Sequence, residues 1–144
     1  MKRQAVSLVS LLSLLLVAGS AIAQTVHVRG DIPFNFAVGS KTYPAGTYEI
    51  GTIDVRNCRT LFLQARDGNA RAMINSNTAE SLTPADKTKL VFNRYGNQYF
   101  LSQIWVNGET MGHQLPKSSR EKEVGRDMAR NLTHERVEVL ASLQ

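Results

Sequence analysis

The sequence predicts a mainly β domain: a small antiparallel barrel or sandwich of seven or eight short strands with a C-terminal helix. Three observations predict it. Apolar and polar residues alternate with period two over much of residues 24–144. Glycines and turn dipeptides punctuate those runs at short intervals. One stretch, about 119–132, changes to an apolar period near four behind a helix-capping pattern.

Residues 1–23 read as a signal peptide. Lys2 and Arg3 form a positive start, 5–18 is an almost uninterrupted apolar run, and Ala21-Ile22-Ala23 supplies small residues for cleavage between Ala23 and Gln24. The apolar run is shorter than the roughly 20 residues that span a bilayer, so residues 24–144 are expected to form one exported domain, periplasmic or extracellular, without a transmembrane segment.

The first strand signal runs from Val26 to Val38, with Val28, Ile32, Phe34, Phe36 and Val38 alternating against polar or small neighbours. Pro33 has no amide hydrogen, so this run must be broken there or lie at a sheet edge. Turns follow at 39–41 and at Pro44-Ala45-Gly46, with Tyr48 and Ile50 sharing a face beyond them. Leu61, Leu63 and Ala65 lead through Asp67-Gly68-Asn69 into a weaker strand at 70–76, a hairpin pattern. Residues 78–88 are polar and aperiodic, and read as a loop with one helical turn at Thr83-Pro84.

Leu90-Val91-Phe92 and residues 98–106 flank Tyr95-Gly96-Asn97. Strict alternation would place Tyr99, Leu101, Gln103 and Trp105 on one face and Phe100, Ser102, Ile104 and Val106 on the other; both faces are largely apolar, so this strand is expected to be central. Asn107-Gly108 predicts a type I′ hairpin and a return strand over 109–115. Ser118 with Glu121 forms a capping box, and Val124, Met128 and Leu132 make the apolar stripe of the helix that follows. Residues 135–143 suit either a strand or a continued helix, with β-branched residues favouring a strand.

Charge is modest. Two of the 17 Lys and Arg residues lie in the signal, leaving 15 against 12 acids, a net of +3. Arg29, Arg56, Arg66, Arg71 and Arg94 are scattered among acids, so no nucleic-acid partner is expected. Cys58 is the only cysteine and precludes an internal disulfide. Arg56 and Arg59 beside it favour a thiolate able to pair between molecules; burial as a small hydrophobe is the other reading.

Reactive constellations are scarce. His27, His113 and His134 lack metal-ligand spacing, and no metal or cofactor is expected. No Gly-x-Ser-x-Gly, Ser-x-x-Lys or His-Glu-x-x-His pattern occurs. His113 and Glu109 share a side by period two on the expected return strand, which admits a hydrolase or isomerase reading, with Asp31 or Glu49 as further acids. Lys122, Arg126 and Arg130 form a cationic stripe suited to weak contact with an anionic surface, or to a solvated face paired through Glu123–Arg126 and Asp127–Arg130. Tyr99 and Trp105 are candidates to stack on a sugar ring, or else core residues. Asn131-Leu132-Thr133 matches the glycosylation acceptor.

Ile32-Pro33-Phe34-Asn35-Phe36, Pro44-Ala45-Gly46-Thr47-Tyr48, residues 90–96 (LVFNRYG), residues 99–105 (YFLSQIW) and Leu115-Pro116-Lys117-Ser118 with Arg120-Glu121 together resemble a group of small exported bacterial proteins of uncharacterised function. The resemblance implies export but no catalytic residue, and Asn35 stands where that group commonly has Asp. By elimination, the sequence reads as a non-enzymatic binding or structural module of the cell envelope. The alternatives are the small hydrolase or isomerase, and a self-associating stress or matrix protein with an unpaired apolar edge near Pro33.

Overall fold

The computed structural model describes residues 25–54, 56–129 and 134–144. The expected signal peptide with its expected Ala23/Gln24 junction, Arg130, Leu132 and the acceptor pattern at 131–133 lie outside the described residues. Eleven strands and one helix follow in order: β1 (His27–Ile32), β2 (Phe36–Val38), β3 (Lys41–Tyr43), β4 (Gly46–Asp54), β5 (Asn57–Ala65), β6 (Arg71–Asn75), β7 (Asn77–Glu80), β8 (Lys89–Tyr95), β9 (Gln98–Trp105), β10 (Met111–Gln114), α1 (Ser119–Met128) and β11 (Glu135–Leu143). They form one curled sheet, a half-barrel, in the order β3-β2-β9-β8-β11-β1-β4-β5-β6, with β10 joining β9 to β7.

The mainly β class and the C-terminal helix stand as expected; the strand number does not, and the sheet is mixed where an antiparallel one was expected. Pro33 breaks the first run into β1 and β2, and β1 lies inside the sheet between β11 and β4, so the proline marks no edge. The unpaired edges of the sheet path are β3 and β6 instead. β3 fits between two turns the sequence placed almost back to back. β7 overlaps the stretch expected to be loop: its residues are mostly polar, and it is a strand because the backbone of β10 pairs with it from Met111↔Glu80 to Gln114↔Asn77. β2 runs parallel to β9 at Ala37↔Phe100, which makes the sheet mixed.

Burial follows the period-two pattern. Val28, Ile32, Phe36, Tyr48, Ile50, Leu61, Leu63, Leu90, Phe92 and Ile104 are all at most 2 % exposed and fill the concave side. Phe36 sits edge-on to Tyr48 at 5.0 Å and to Phe92 at 5.6 Å, and the buried Tyr48 hydroxyl donates to the Pro44 carbonyl at 2.7 Å. The final segment is a strand, as its β-branched alternation predicts, with β8 on one side and β1 on the other.

One residue changes the geometry of β9. Its register with β8 runs Lys89↔Trp105, Leu90↔Ile104, Val91↔Gln103, then Phe92↔Leu101, skipping Ser102. The extra residue is a β-bulge, and it reverses which face every later residue points to. Leu101 and Ile104 therefore both enter the concave core, while Phe100, Gln103 and Trp105 take the convex side.

The helix covers part of that convex face. The Ser118 hydroxyl caps it by accepting from the Glu121 amide at 3.1 Å, as the capping pattern predicts. Glu121 does not complete the box. Its carboxylate, 4 % exposed, instead accepts from Asn93 Nδ2 at 2.8 Å and from the Tyr95 hydroxyl at 3.2 Å on β8. Val124 and Met128 pack on Ala37, Tyr95 and Phe100, as the apolar stripe predicts. At Gly125 a Cβ would meet the Tyr95 ring at 3.5 Å, ordinary contact distance. Gly125→Ala is therefore expected to stabilise the fold by roughly 0.5–1 kcal/mol through helix propensity, read as a higher urea midpoint with an unchanged slope.

Candidate functional site

The convex face of β8, β9 and β11 that α1 leaves open forms the base of a cleft of about 330 Å³. Lys89 and Val91 from β8, Gln103 and Trp105 from β9, and Arg136 and Glu138 from β11 line it, with Ser81 and residues 83–86 as its overhanging wall. The wall is fixed by backbone bonds. The Ser81 amide donates to the Thr110 carbonyl at 2.8 Å, the Ala85 amide to the Glu109 carbonyl at 2.9 Å, and the Gly108 amide to the Ala85 carbonyl at 2.8 Å. These bonds take the backbone that a helical turn at Thr83-Pro84 would use, and no helix forms there. The opposing turn has positive φ only at Gly108, so it is not the expected type I′, and the return strand starts at Met111 rather than 109.

Trp105, 9 % exposed, is held on two sides. Its Nε1 donates to Gln103 Oε1 at 3.0 Å, and Gln103 Nε2 donates onward to Gln114 Oε1 at 2.6 Å. Gly112 lies against the ring so closely that a Cβ there would come within 2.7 Å of Trp105 Cε3 and of the Ile104 carbonyl oxygen. Lys89 reaches Glu138 at 2.8 Å and Asp86 at 4.0 Å, so its charge is already matched. Arg136 is exposed and has no ion pair among the described residues.

Tyr99 is not beside Trp105. The bulge leaves it on the concave side, stacked on Phe34 with ring centroids 3.8 Å apart and with Arg94 5.5 Å from its own centroid. The two aromatics expected to form one platform point to opposite faces.

His113 and Glu109 are likewise apart in role. Glu109 belongs to the turn, donating its amide to the Val106 carbonyl at 3.1 Å, so the strand periodicity that paired it with His113 does not apply. His113 Nδ1 lies 2.9 Å from Ser76 Oγ, and the Ser76 hydroxyl donates to the Arg59 carbonyl at 3.0 Å. The direction of the Ser76–His113 bond is set by the tautomer of His113. The bond ties β10 to the corner where the chain leaves β5 at the end of β6 and crosses to β10 as β7.

The remaining candidates are dispersed. Lys122 and Arg126 are exposed on α1, and Arg126, expected to pair with Glu123, donates to the Lys122 carbonyl at 3.3 Å. Asp31 accepts from the Thr47 hydroxyl at 2.6 Å. Glu49 binds Arg29 through Nε at 3.1 Å and through Nη2, and this hydrogen bonding holds its carboxyl below the ordinary value. Cys58 is half-buried on β5. His134 Nε2 contacts Asn93 Oδ1 at 3.0 Å, while His27 lies edge-on to Phe62. Among the described residues no group of three or more His, Cys, Asp or Glu is placed to hold a metal ion, and no helix is long and apolar enough to cross a membrane.

Sequence reasoning missed the buried cluster of Asn93, Tyr95 and Glu121, which the exposed His134 joins through Asn93. Its signal was present: Glu121 occupies the third turn position of a capping box, where a carboxylate either reaches back or is free to turn inward. Every buried side-chain polar atom among the described residues finds a partner, so this cluster reads as the latch of the helix. No family model matches the chain, and no curated protein or solved structure does either.

Two outcomes follow from this geometry. Gly112→Ala is expected to displace Trp105 and lower stability by roughly 1–3 kcal/mol, with a red-shifted tryptophan emission as the direct readout. Burial holds the His113 pKa below its ordinary value of about 6.5, so the unfolded chain takes up that proton more readily than the folded one. The contribution of this residue is complete above that ordinary value and is lost as pH falls through it toward the depressed folded value. Urea midpoints should drop between about pH 7 and pH 5, and His113→Asn, which keeps a hydrogen-bonding group near the Nδ1 position, should flatten the drop.

Proposed function

We propose that the chain is an exported binding module of the cell envelope that seats a hydroxylated ring, such as a sugar, in the cleft beneath the 83–86 wall. The observation that carries this reading is the fixed Trp105 at the base of a cleft of about 330 Å³, edged by Gln103, Lys89, Glu138 and Arg136. Ring stacking on an indole with polar groups around its rim is the ordinary chemistry of sugar recognition, and the volume lies within the range of small-ligand sites. Preorganisation supports it as well. The indole, the Lys89–Glu138 pair and the wall are each held by bonds inside the protein, so a ligand orders little on binding. Arg136 is the group best able to engage an acidic substituent.

A hydrolase or isomerase centred on His113 draws no support from the geometry, since its Nδ1 is spent on Ser76 and Glu109 lies in a turn.

Trp105 is the only tryptophan, so its emission reports this cleft alone. Titration with a panel of neutral and acidic sugars and envelope glycan fragments is expected to give a saturable emission change, weakened about tenfold by Arg136→Ala for acidic members only. Absence of any saturable change across the panel would sink the reading.

A further inference from the structure

We propose that the gap between β3 and β6 binds an extended, acidic peptide segment as an added strand. These two strands end the sheet path, with β2 alone beside β3 and β5 alone beside β6. Each therefore carries backbone N–H and C=O groups on its outer edge that no strand pairs. The curl of the sheet brings both edges to one cleft of about 340 Å³.

The lining shows which part of each strand faces the cleft. On one side it is the end of β2 and the turn at 38–40 with Lys41 and Tyr43 of β3, and on the other the consecutive run 72–75 of β6. Alternate residues of a strand point to opposite faces, so the run 72–75 presents the backbone edge of β6, while Lys41 and Tyr43, two residues apart, present one face of β3 beside its open edge. Beneath lie Tyr43, Ile74 and Leu115, each 5 % exposed and part of the main core. A guest strand would thus find backbone partners at its sides and an apolar base for every second side chain, which is the arrangement used in strand addition.

Length and charge narrow the guest. Beyond Asn75 the chain turns at Ser76 and crosses to β10, so β6 offers five residues, Arg71–Asn75. Lys41 lines the cleft and Arg71 begins β6; both are exposed without an ion pair among the described residues, and no acid lines the cleft. By parity Arg71 lies on the face opposite the buried Ile74, whereas Lys41 shares the face of the buried Tyr43, so carboxylates on the guest would complement Arg71 on the outer face and Lys41 at the rim of the cleft. A second copy of the chain fits poorly: its β6 is held by its own β5, so it could serve one edge of the gap but not enter between two.

The test uses two synthetic hexapeptides, one alternating Glu with Val and one alternating Lys with Val, followed by amide hydrogen exchange on the purified protein. The acidic peptide is expected to protect residues 72–75 and 41–43 selectively. Lys41→Glu combined with Arg71→Glu, both surface changes, should weaken it about tenfold and favour the basic peptide. Three results would each overturn the proposal: no added protection at millimolar peptide, equal binding of the two peptides, or concentration-dependent dimers that protect 72–75 without peptide. Trp105 emission, which reports the other cleft, should stay unchanged.

Discussion

The fold depends on where its last strand pairs. β11 lies between β8 and β1, with Val28 opposite Leu143 and Leu90 opposite Val139. On one side of it stand β1, β4, β5 and β6, and on the other β8, β9, β2 and β3. Without this strand the curl would open along β1 and β8, and Val28, Leu90 and Phe92 would lose part of their cover. The pairing joins residues more than a hundred positions apart, so the loop-closure entropy of nearly the whole domain is spent before the sheet is continuous. Nucleation within the local hairpins β4–β5–β6 and β8–β9, followed by capture of β11, is the order such topology favours.

The single bulge in β9 ranks next, because it decides what each face of the sheet is made of. One unpaired residue, Ser102, lets Leu101 and Ile104 enter the same core and turns Gln103 and Trp105 outward. The convex face then carries more apolar surface than a solvated sheet tolerates, and two different covers complete it. Over Phe100 and Tyr95 lies α1, anchored by the Glu121 carboxylate to Asn93 and Tyr95. Over Val91 and Trp105 reaches the wall at 83–86, pinned by backbone bonds to the turn at 106–110. The helix packs tightly; the wall stands off and leaves a cleft. The difference follows from side chains: Val124 and Met128 project into the sheet from α1, whereas the wall offers Thr83, Pro84, Ala85 and Asp86.

The helix latch places a carboxylate where burial would ordinarily be unfavourable. Glu121 is tolerated because Asn93 and Tyr95 both donate to it, and Asn93 is in turn oriented by His134 at its other amide atom. The segments 90–96 and 115–121 meet at this latch. Their residues thus have a packing role, independent of any ligand in the neighbouring cleft.

Much of the architecture was legible in the residues themselves. Period-two runs, turn glycines and the Ser118 cap mark most strands and the start of the helix, because strand pleat and helix pitch act locally on whatever side chains are present. The β-branched alternation of Val137 and Val139 likewise marked a last strand. What the sequence could not reveal was decided by partners distant in the chain. β7 is a strand because β10 pairs with it, and no local preference of Asn77, Thr78 or Glu80 announces that. Tyr99 and Trp105 part company because a bulge, set by the register between β8 and β9, reverses the parity of one strand against its own sequence pattern. His113 became a corner tie and Glu121 a latch through contacts 37 and 28 residues away in sequence. Local patterning determines which element forms and which face it prefers; register and closure, properties of pairs of strands, determine what those faces meet.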